Sequence, residues 1–201
     1  PTVTASTGLD ALTQLMEAFV TRRANPLTDG LCREGLARAA RALRPAYATG
    51  DRQAREDMAI ASLFSGLALA NAGLGAVHGL AAPLGGLLGA PHGMVCARLL
   101  PIVMEANIRA LAARDHDNPS LTRYAEIARI LTAAPDATVQ DAIIWVRNLC
   151  ADLAVPGLSR SGLTGADIGT VVQQAQKASS MKGNPIALTD VEVTGILEQA
   201  L

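Results

Sequence analysis

The sequence predicts an all-α domain. Helix-start signals recur along the chain, and no segment shows the strict apolar–polar alternation that is typical of a half-buried strand. Half of the 201 residues are hydrophobic but only 2% are aromatic, so the core has to be built from Ala, Leu, Val and Ile. Small aliphatic side chains favour closely packed helices, and the length suits one domain with a substantial core.

Capping residues predict where the helices start. A Ser, Thr, Asp or Asn side chain can accept a hydrogen bond from a free N–H in the first turn, and an acidic residue three positions later completes a capping box. These signals predict helix starts at Thr7, Asn25, Asp51, Asn118, Thr138, Thr164 and Thr189. We expect four of these helices to end near Ala48, Leu69, Thr132 and Leu153. Taken from local sequence alone, Asp10 is best explained as the acidic member of the first capping box.

The central segment, residues 70–98, contains two of the three histidines within a run, residues 58–97, that lacks charged side chains. The run is longer than a membrane span needs, but its histidines, prolines and glycines and its lack of an aromatic belt favour a central helix buried on all sides. The glycines at 73, 75, 79, 85, 86 and 89 predict close approach of another backbone or of a ligand. Pro91-His92-Gly93 predicts a turn into a further helix with a kink at Pro101.

The candidate metal ligands are Asp10, His78 and His92. Two imidazoles and a carboxylate suit Zn²⁺ or Fe²⁺, although a satisfied core or turn histidine is the alternative for each histidine taken singly. Gln14 lies four residues after Asp10 and therefore on the same helix face. His116 lies in the polar stretch ARDHDNP and is expected to be solvated.

Composition excludes several other classes of function. A net charge of −1 gives no electrostatic reason to expect nucleic acid or an anionic membrane as a partner. The three cysteines, at 32, 96 and 150, are widely spaced and odd in number, which argues against a disulfide framework and indicates a reducing cytoplasm. Cys96 is expected to pack its thiol in the core. No signal peptide, no glycine-rich phosphate loop after a strand and no nucleophile elbow is evident.

Two stretches resemble the iron-containing (group III) alcohol dehydrogenase family, in its helical C-terminal domain: GLDALTQLMEAFVTRRANPLTD and ANAGLGAVHGLAAPLGGLLGAPHGMVCARLLPIVMEAN. The family patterns G-x-D-A-x-x-H-x-x-E, G-x-x-H-x-x-x-H-P-x-G, P-H-G and L-P-x-x-x-x-x-N are matched, with two departures, by residues 8–17, 75–85, 91–93 and 100–107. The resemblance implies the multi-helix C-terminal domain of the dehydroquinate synthase-like fold. Residues 1–201 would then form one metal- and substrate-binding domain, and the α/β nucleotide-binding domain would precede this chain.

The resemblance also implies a ligand set. The family's metal-binding aspartate falls at Asp10 and two of its histidines at His78 and His92, whereas its remaining ligand histidine is replaced by Gln14. Gln14 could offer only a weaker amide oxygen to Fe²⁺ or Zn²⁺, so loss of the metal is an alternative. A further family histidine, close to the nicotinamide, falls at Ala82. Because Ala82 carries no proton, solvent or another side chain would have to relay one.

The implied activity is that of an NAD(P)-dependent alcohol dehydrogenase or aldehyde reductase acting on a small alcohol or aldehyde, with the metal polarising the substrate oxygen. NAD or NADP would be bound mainly by the N-terminal domain, so this chain alone should not transfer hydride; a homodimer is a further expectation. Two alternatives stay open. One is a metal-independent, maleylacetate reductase-like enzyme, which is disfavoured because that branch usually alters the Asp10 position. The other is a helical domain that has lost its metal site and its catalysis.

Overall fold

A computed structural model describes all 201 residues and contains helices but no β-strand, which confirms the all-α prediction. There are nine α-helices: α1 (Thr2–Val20), α2 (Pro26–Ala48), α3 (Arg52–Ala72), α4 (Ala76–Leu88), α5 (His92–Arg114), α6 (Pro119–Thr132), α7 (Val139–Asp152), α8 (Ile168–Ala175) and α9 (Asp190–Ala200). Two short 3₁₀ turns, Leu158–Ser161 and Met181–Gly183, flank α8.

Five of the predicted caps are present. The side chains of the N-cap residues of α2, α3, α6, α7 and α9 each accept a backbone N–H from the first turn, and α2, α7 and α9 have complete capping boxes. In α9, for example, Glu192 N donates to the Thr189 hydroxyl at 3.2 Å and Thr189 N donates to the Glu192 carboxylate at 2.7 Å. Local side-chain chemistry therefore specifies these helix starts.

Two predicted caps are wrong. α1 begins at Thr2, so Thr7 lies inside the helix and its hydroxyl donates to the Val3 carbonyl. Asp10 is consequently an interior helical residue without a capping role. Thr164 donates its backbone N–H and its hydroxyl to the Asp167 carboxylate at 2.9 and 2.6 Å. These bonds close a turn ahead of α8, which starts at Ile168, so Thr164 is not the N-cap.

The charge-free run is divided among three helices, with most of α3, all of α4 and the first turns of α5, rather than forming one central helix buried on all sides. α3 ends at Ala72, Gly73 adopts a φ of +73°, and α4 then departs at 101° to α3. The outer face of α3 exposes Leu63, Leu67 and Leu69. No single helix has both the length and the apolar content for a membrane span, although α3 and α4 taken together across their bend meet that criterion.

Helix α1 lies at the centre of the packing. It contacts α2, α3, α5 and α6, while α4 packs against α5 and α8. One continuous cluster of 54 buried hydrophobic residues joins these helices. The expected close approach occurs at Gly75, beside Glu17 and Asn184, and at Gly79, beside Met181. It is absent at the glycines at 85, 86 and 89, where an added Cβ would have no atom within 4 Å.

Candidate metal centre

The structure brings together the three candidate ligands that lie far apart in the sequence. Asp10 is at the middle of α1, His78 in the first turn of α4 and His92 at the first residue of α5. Asp10 Oδ1 lies 3.3 Å from His78 Nε2 and 3.6 Å from His92 Nε2. The two imidazole rings are 5.5 Å apart between centroids. These helices therefore direct one carboxylate oxygen and two ring nitrogens at a common point.

One oxygen of Asp10 lacks a well-formed hydrogen bond. Asp10 Oδ2 accepts from Gln14 Nε2 at 2.8 Å, but Oδ1 is buried and has no partner of good hydrogen-bond geometry. A buried carboxylate oxygen is costly unless a hydrogen bond, a cation or a metal compensates it. This oxygen is the one that faces both imidazoles, so its lone pairs are directed at the centre of the cluster.

Glu17 holds the ring of His78 from the side opposite Asp10. Its Oε2 lies 2.6 Å from His78 Nδ1, and its Oε1 accepts the backbone N–H of Val77 at 2.7 Å. A carboxylate on Nδ1 holds a proton on that atom, so it is Nε2 that gives up its proton and offers a lone pair when a metal binds. Glu17 received no role from the sequence, although it lies seven residues, two helical turns, after Asp10 and hence on the same face.

Cys96 is buried as expected, but it faces the cluster and does more than pack in the core. Its Sγ lies 3.5 Å from His92 Nε2 and 3.8 Å from His78 Nε2. The ligand atoms of Asp10, His78, His92 and Cys96 all lie within 4.8 Å of one another. The signal in the sequence is the spacing: Cys96 follows His92 by four residues and shares its helix face.

Charge and burial compete at this cluster. Burial lowers the pKa of His78, but Asp10, Cys96 and Glu17 beside the ring outweigh burial and raise that pKa to about 12. Burial raises the pKa of the Cys96 thiol to about 11, against the effect of His78. A divalent metal would replace the protons on both groups, because metals bind neutral imidazole and thiolate.

The remaining sequence candidates lie outside the ligand cluster or beside it. The Gln14 amide donates to Asp10, and its oxygen accepts the Ser65 hydroxyl at 2.9 Å, so that oxygen is not directed at the centre. Ala82, one turn after His78, lies on the surface and lines an open cavity between α4 and α8. His116 is solvated as predicted, with 79% of its side chain exposed.

The donor set fits a divalent transition metal. Two imidazole nitrogens, a carboxylate oxygen and a sulfur are ligands that such ions accept in proteins, and the unpaired Asp10 oxygen supplies the charge that a cation would neutralise. The opening of the site is on the side of His92, whose side chain is 52% exposed while that of His78 is 8% exposed. A small ligand would therefore approach past His92.

Comparison with known proteins decides the family. The family model described as "Fe-containing alcohol dehydrogenase family, C-terminal" matches residues 4–201. The chain belongs to this family. It is 38% identical over 206 residues to 1,3-propanediol dehydrogenase of Klebsiella pneumoniae, covering 98% of this chain and 51% of that protein. It is 34% identical over 206 residues to lactaldehyde reductase of Escherichia coli, covering 100% of this chain and 51% of that protein.

Solved structures of family members have the same fold. The alcohol dehydrogenase from Oenococcus oeni superposes with a TM-score of 0.89 at 34% identity, covering 100% of this chain and 52% of that chain. The resemblance stated from the sequence and the C-terminal helical fold that it implied are therefore confirmed. The chain spans about half the length of the curated relatives that it matches.

Proposed function

We propose that this chain supplies the metal- and substrate-binding half of an NAD(P)-dependent alcohol dehydrogenase or aldehyde reductase. The observation that carries the proposal is the convergence of Asp10, His78 and His92 on one unpaired carboxylate oxygen. The relatives are named dehydrogenases and reductases of small alcohols and aldehydes, which supports the same class of substrate here. NAD or NADP would be held mainly by a separate nucleotide-binding domain.

Asp10, His78 and His92 would hold Fe²⁺ or Zn²⁺, which when bound supplies a Lewis acid that polarises an alcohol or carbonyl oxygen. The chain's own residues prepare this site. Glu17 fixes the ring of His78 through Nδ1, and Gln14 fixes Asp10 through Oδ2. The buried flank at His78 limits water, whereas the exposed flank at His92 admits the substrate.

Proton exchange differs from the family pattern in this proposal. Ala82 occupies the position at which the family pattern has a histidine, and a methyl group neither accepts nor donates a proton. Ala82 is exposed beside an open cavity, so water can reach this position. We therefore assign the proton relay to solvent or to another side chain.

Metal content is the direct test. Purified wild-type chain should contain or take up one Fe²⁺ or Zn²⁺, measured by elemental analysis. His92→Ala should lose the metal because it removes one of only two ligand imidazoles. His116→Ala is the matched control, since His116 is exposed and distant from the cluster, and it should keep the wild-type content. Unchanged metal content in His92→Ala would contradict the proposal.

Activity separates the proposal from its two alternatives. The longest polypeptide that the gene encodes should reduce NAD⁺ or NADP⁺ with primary alcohols and lose that activity on chelation. If the polypeptide reduces an oxo-acid and keeps that activity in the presence of a chelator, the result would support the metal-independent reductase instead. A polypeptide with a nucleotide-binding domain but without either activity would support the non-catalytic alternative.

A further inference from the structure

We propose that Cys96 is a fourth metal ligand of this chain, taking the place of the imidazole that is missing at Gln14, and that its thiolate makes the site prefer Zn²⁺ over Fe²⁺. This inference rests on the proposed function, because it requires the site formed by Asp10, His78 and His92. It goes beyond the family ligand set, which contains no sulfur.

Four of the six distances between the ligand atoms match a tetrahedral metal site, and the other two are shorter than 4.8 Å. Zn–N and Zn–O bonds of about 2.1 Å and a Zn–S bond of about 2.3 Å place tetrahedral ligands about 3.4 Å apart for N to O and about 3.6 Å for N to S. Asp10 Oδ1 lies 3.3 and 3.6 Å from the Nε2 atoms of His78 and His92. Cys96 Sγ lies 3.8 and 3.5 Å from the same two atoms.

Helix geometry makes Cys96 an available replacement for the missing ligand. The family histidine at position 14 would approach from α1, one turn after Asp10. Here that position carries an amide whose N–H₂ faces Asp10 and whose oxygen is bonded to Ser65. Cys96 approaches instead from α5, one turn after His92. Its polar contacts are confined to the two candidate imidazole ligands.

The chemistry of sulfur determines the expected selectivity. Thiolate is a soft ligand that favours Zn²⁺, whereas carboxylate and imidazole also serve Fe²⁺. Replacing one imidazole by a thiolate should therefore increase the preference for Zn²⁺. The other two cysteines cannot take this role: Cys150 Sγ donates to the Ala97 carbonyl, and neither Cys32 nor Cys150 contacts a histidine.

The test is Co²⁺ titration of the metal-free chain, followed by absorption spectroscopy. Wild-type chain should bind one Co²⁺ and develop the intense near-ultraviolet band of thiolate-to-cobalt charge transfer. Cys96→Ser and Cys96→Ala should lose the band, and their Zn²⁺ affinity should fall at least about tenfold, by more than their Fe²⁺ affinity falls. Cys150→Ala is the matched control and should keep both the band and the affinity. Circular dichroism verifies that each variant is folded.

A measurement on the wild-type chain keeps the proposal falsifiable if the Cys96 variants do not fold. Zinc K-edge X-ray absorption should show one sulfur at about 2.3 Å from the metal. A bound metal with only nitrogen and oxygen neighbours, or a charge-transfer band that persists without Cys96, would overturn the role of Cys96 and leave the proposed function standing. A wild-type chain that binds Fe²⁺ but neither Co²⁺ nor Zn²⁺ would overturn only the further inference, whereas failure to bind any of the three ions would overturn both.

Discussion

Glu17 offers a sharp perturbation, because it can be altered without removing a ligand atom. In Glu17→Gln one carboxylate oxygen becomes an NH₂ group. If the amide oxygen stays on Val77 N, the NH₂ faces His78 Nδ1 and requires that atom to be an acceptor. The ring proton then moves to Nε2, which loses the lone pair that a metal needs. If the amide is reversed, its NH₂ faces the Val77 N–H donor instead.

The expected loss of metal affinity in Glu17→Gln follows from the amide N–H that is left without an acceptor. Glu17 is buried at 5% exposure, so a donor left without an acceptor there costs about 1–3 kcal/mol. Binding a metal through His78 Nε2 requires the reversed arrangement, so that cost falls on the metal-bound state. At about 1.4 kcal/mol per tenfold change, the expected loss of metal affinity is about 10- to 100-fold, the range typical of residues that orient a ligand.

The assay is competition for Zn²⁺ between the chain and a chromogenic chelator at neutral pH. Glu105→Gln is the matched control: it makes the same chemical change at an exposed side chain on α5, which pairs with Arg147, and it should leave the affinity unchanged. A folded Glu17→Gln variant that binds Zn²⁺ as tightly as the wild type would refute the orienting role. Equal losses in Glu17→Gln and Glu105→Gln would indicate a general effect of net charge instead.

Two further predictions concern the scaffold. Gly93→Ala should cost about 1–3 kcal/mol of unfolding free energy, measured by denaturant titration, because the added Cβ would collide with the Ser6 carbonyl. Gly30→Ala should instead stabilise the chain by about 0.5–1 kcal/mol, because the added Cβ meets open space within α2. Equal effects of the two substitutions would contradict the close packing of α1 on α5. Asp57→Asn should cost about 1–2 kcal/mol at pH 7, because it breaks the pairing of a buried carboxylate with two arginines on α2. Hydrogen bonding to Arg41 holds the pKa of Asp57 below its ordinary value, so wild-type and variant stabilities should converge as the pH falls below about 4; a difference that persists at low pH would contradict this.

Most helix starts could be predicted because their capping interactions are local, although the local bonds between Thr164 and Asp167 close a turn instead. The pairs Thr138–Asp141 and Thr189–Glu192 each form both bonds of a capping box, and all the atoms involved lie within four residues. The same pattern at Thr7 and Asp10 failed, because α1 begins at Thr2 without any capping side chain. Packing against four other helices explains how α1 begins before the start that local sequence would favour.

The bend between α3 and α4 could not be predicted from periodicity. A hydrophobic run reports that side chains avoid water but not where the helix axis turns, and residues 58–97 carry no charge that could mark an outer face. The signal for the break in the sequence is the glycine at position 73, which adopts a positive φ in the structure. The 101° angle depends on how α4 packs against α5 and α8, which are contacts distant in sequence.

Gln14 and Cys96 illustrate the same limit at the site. From the sequence, Gln14 counts as a lost ligand and Cys96 as a core residue, because 82 positions separate them and no local pattern relates them. In the folded chain both flank Asp10 and the two imidazoles, so a deficit on α1 can be offset by a donor on α5. The number of family ligands retained is therefore a poor measure of whether the site can hold a metal. The better measure is the number of donor atoms that the fold gathers at one point. Asp10, His78, His92 and Cys96 each place a donor atom within 4.8 Å of the others, so by that measure this chain retains four.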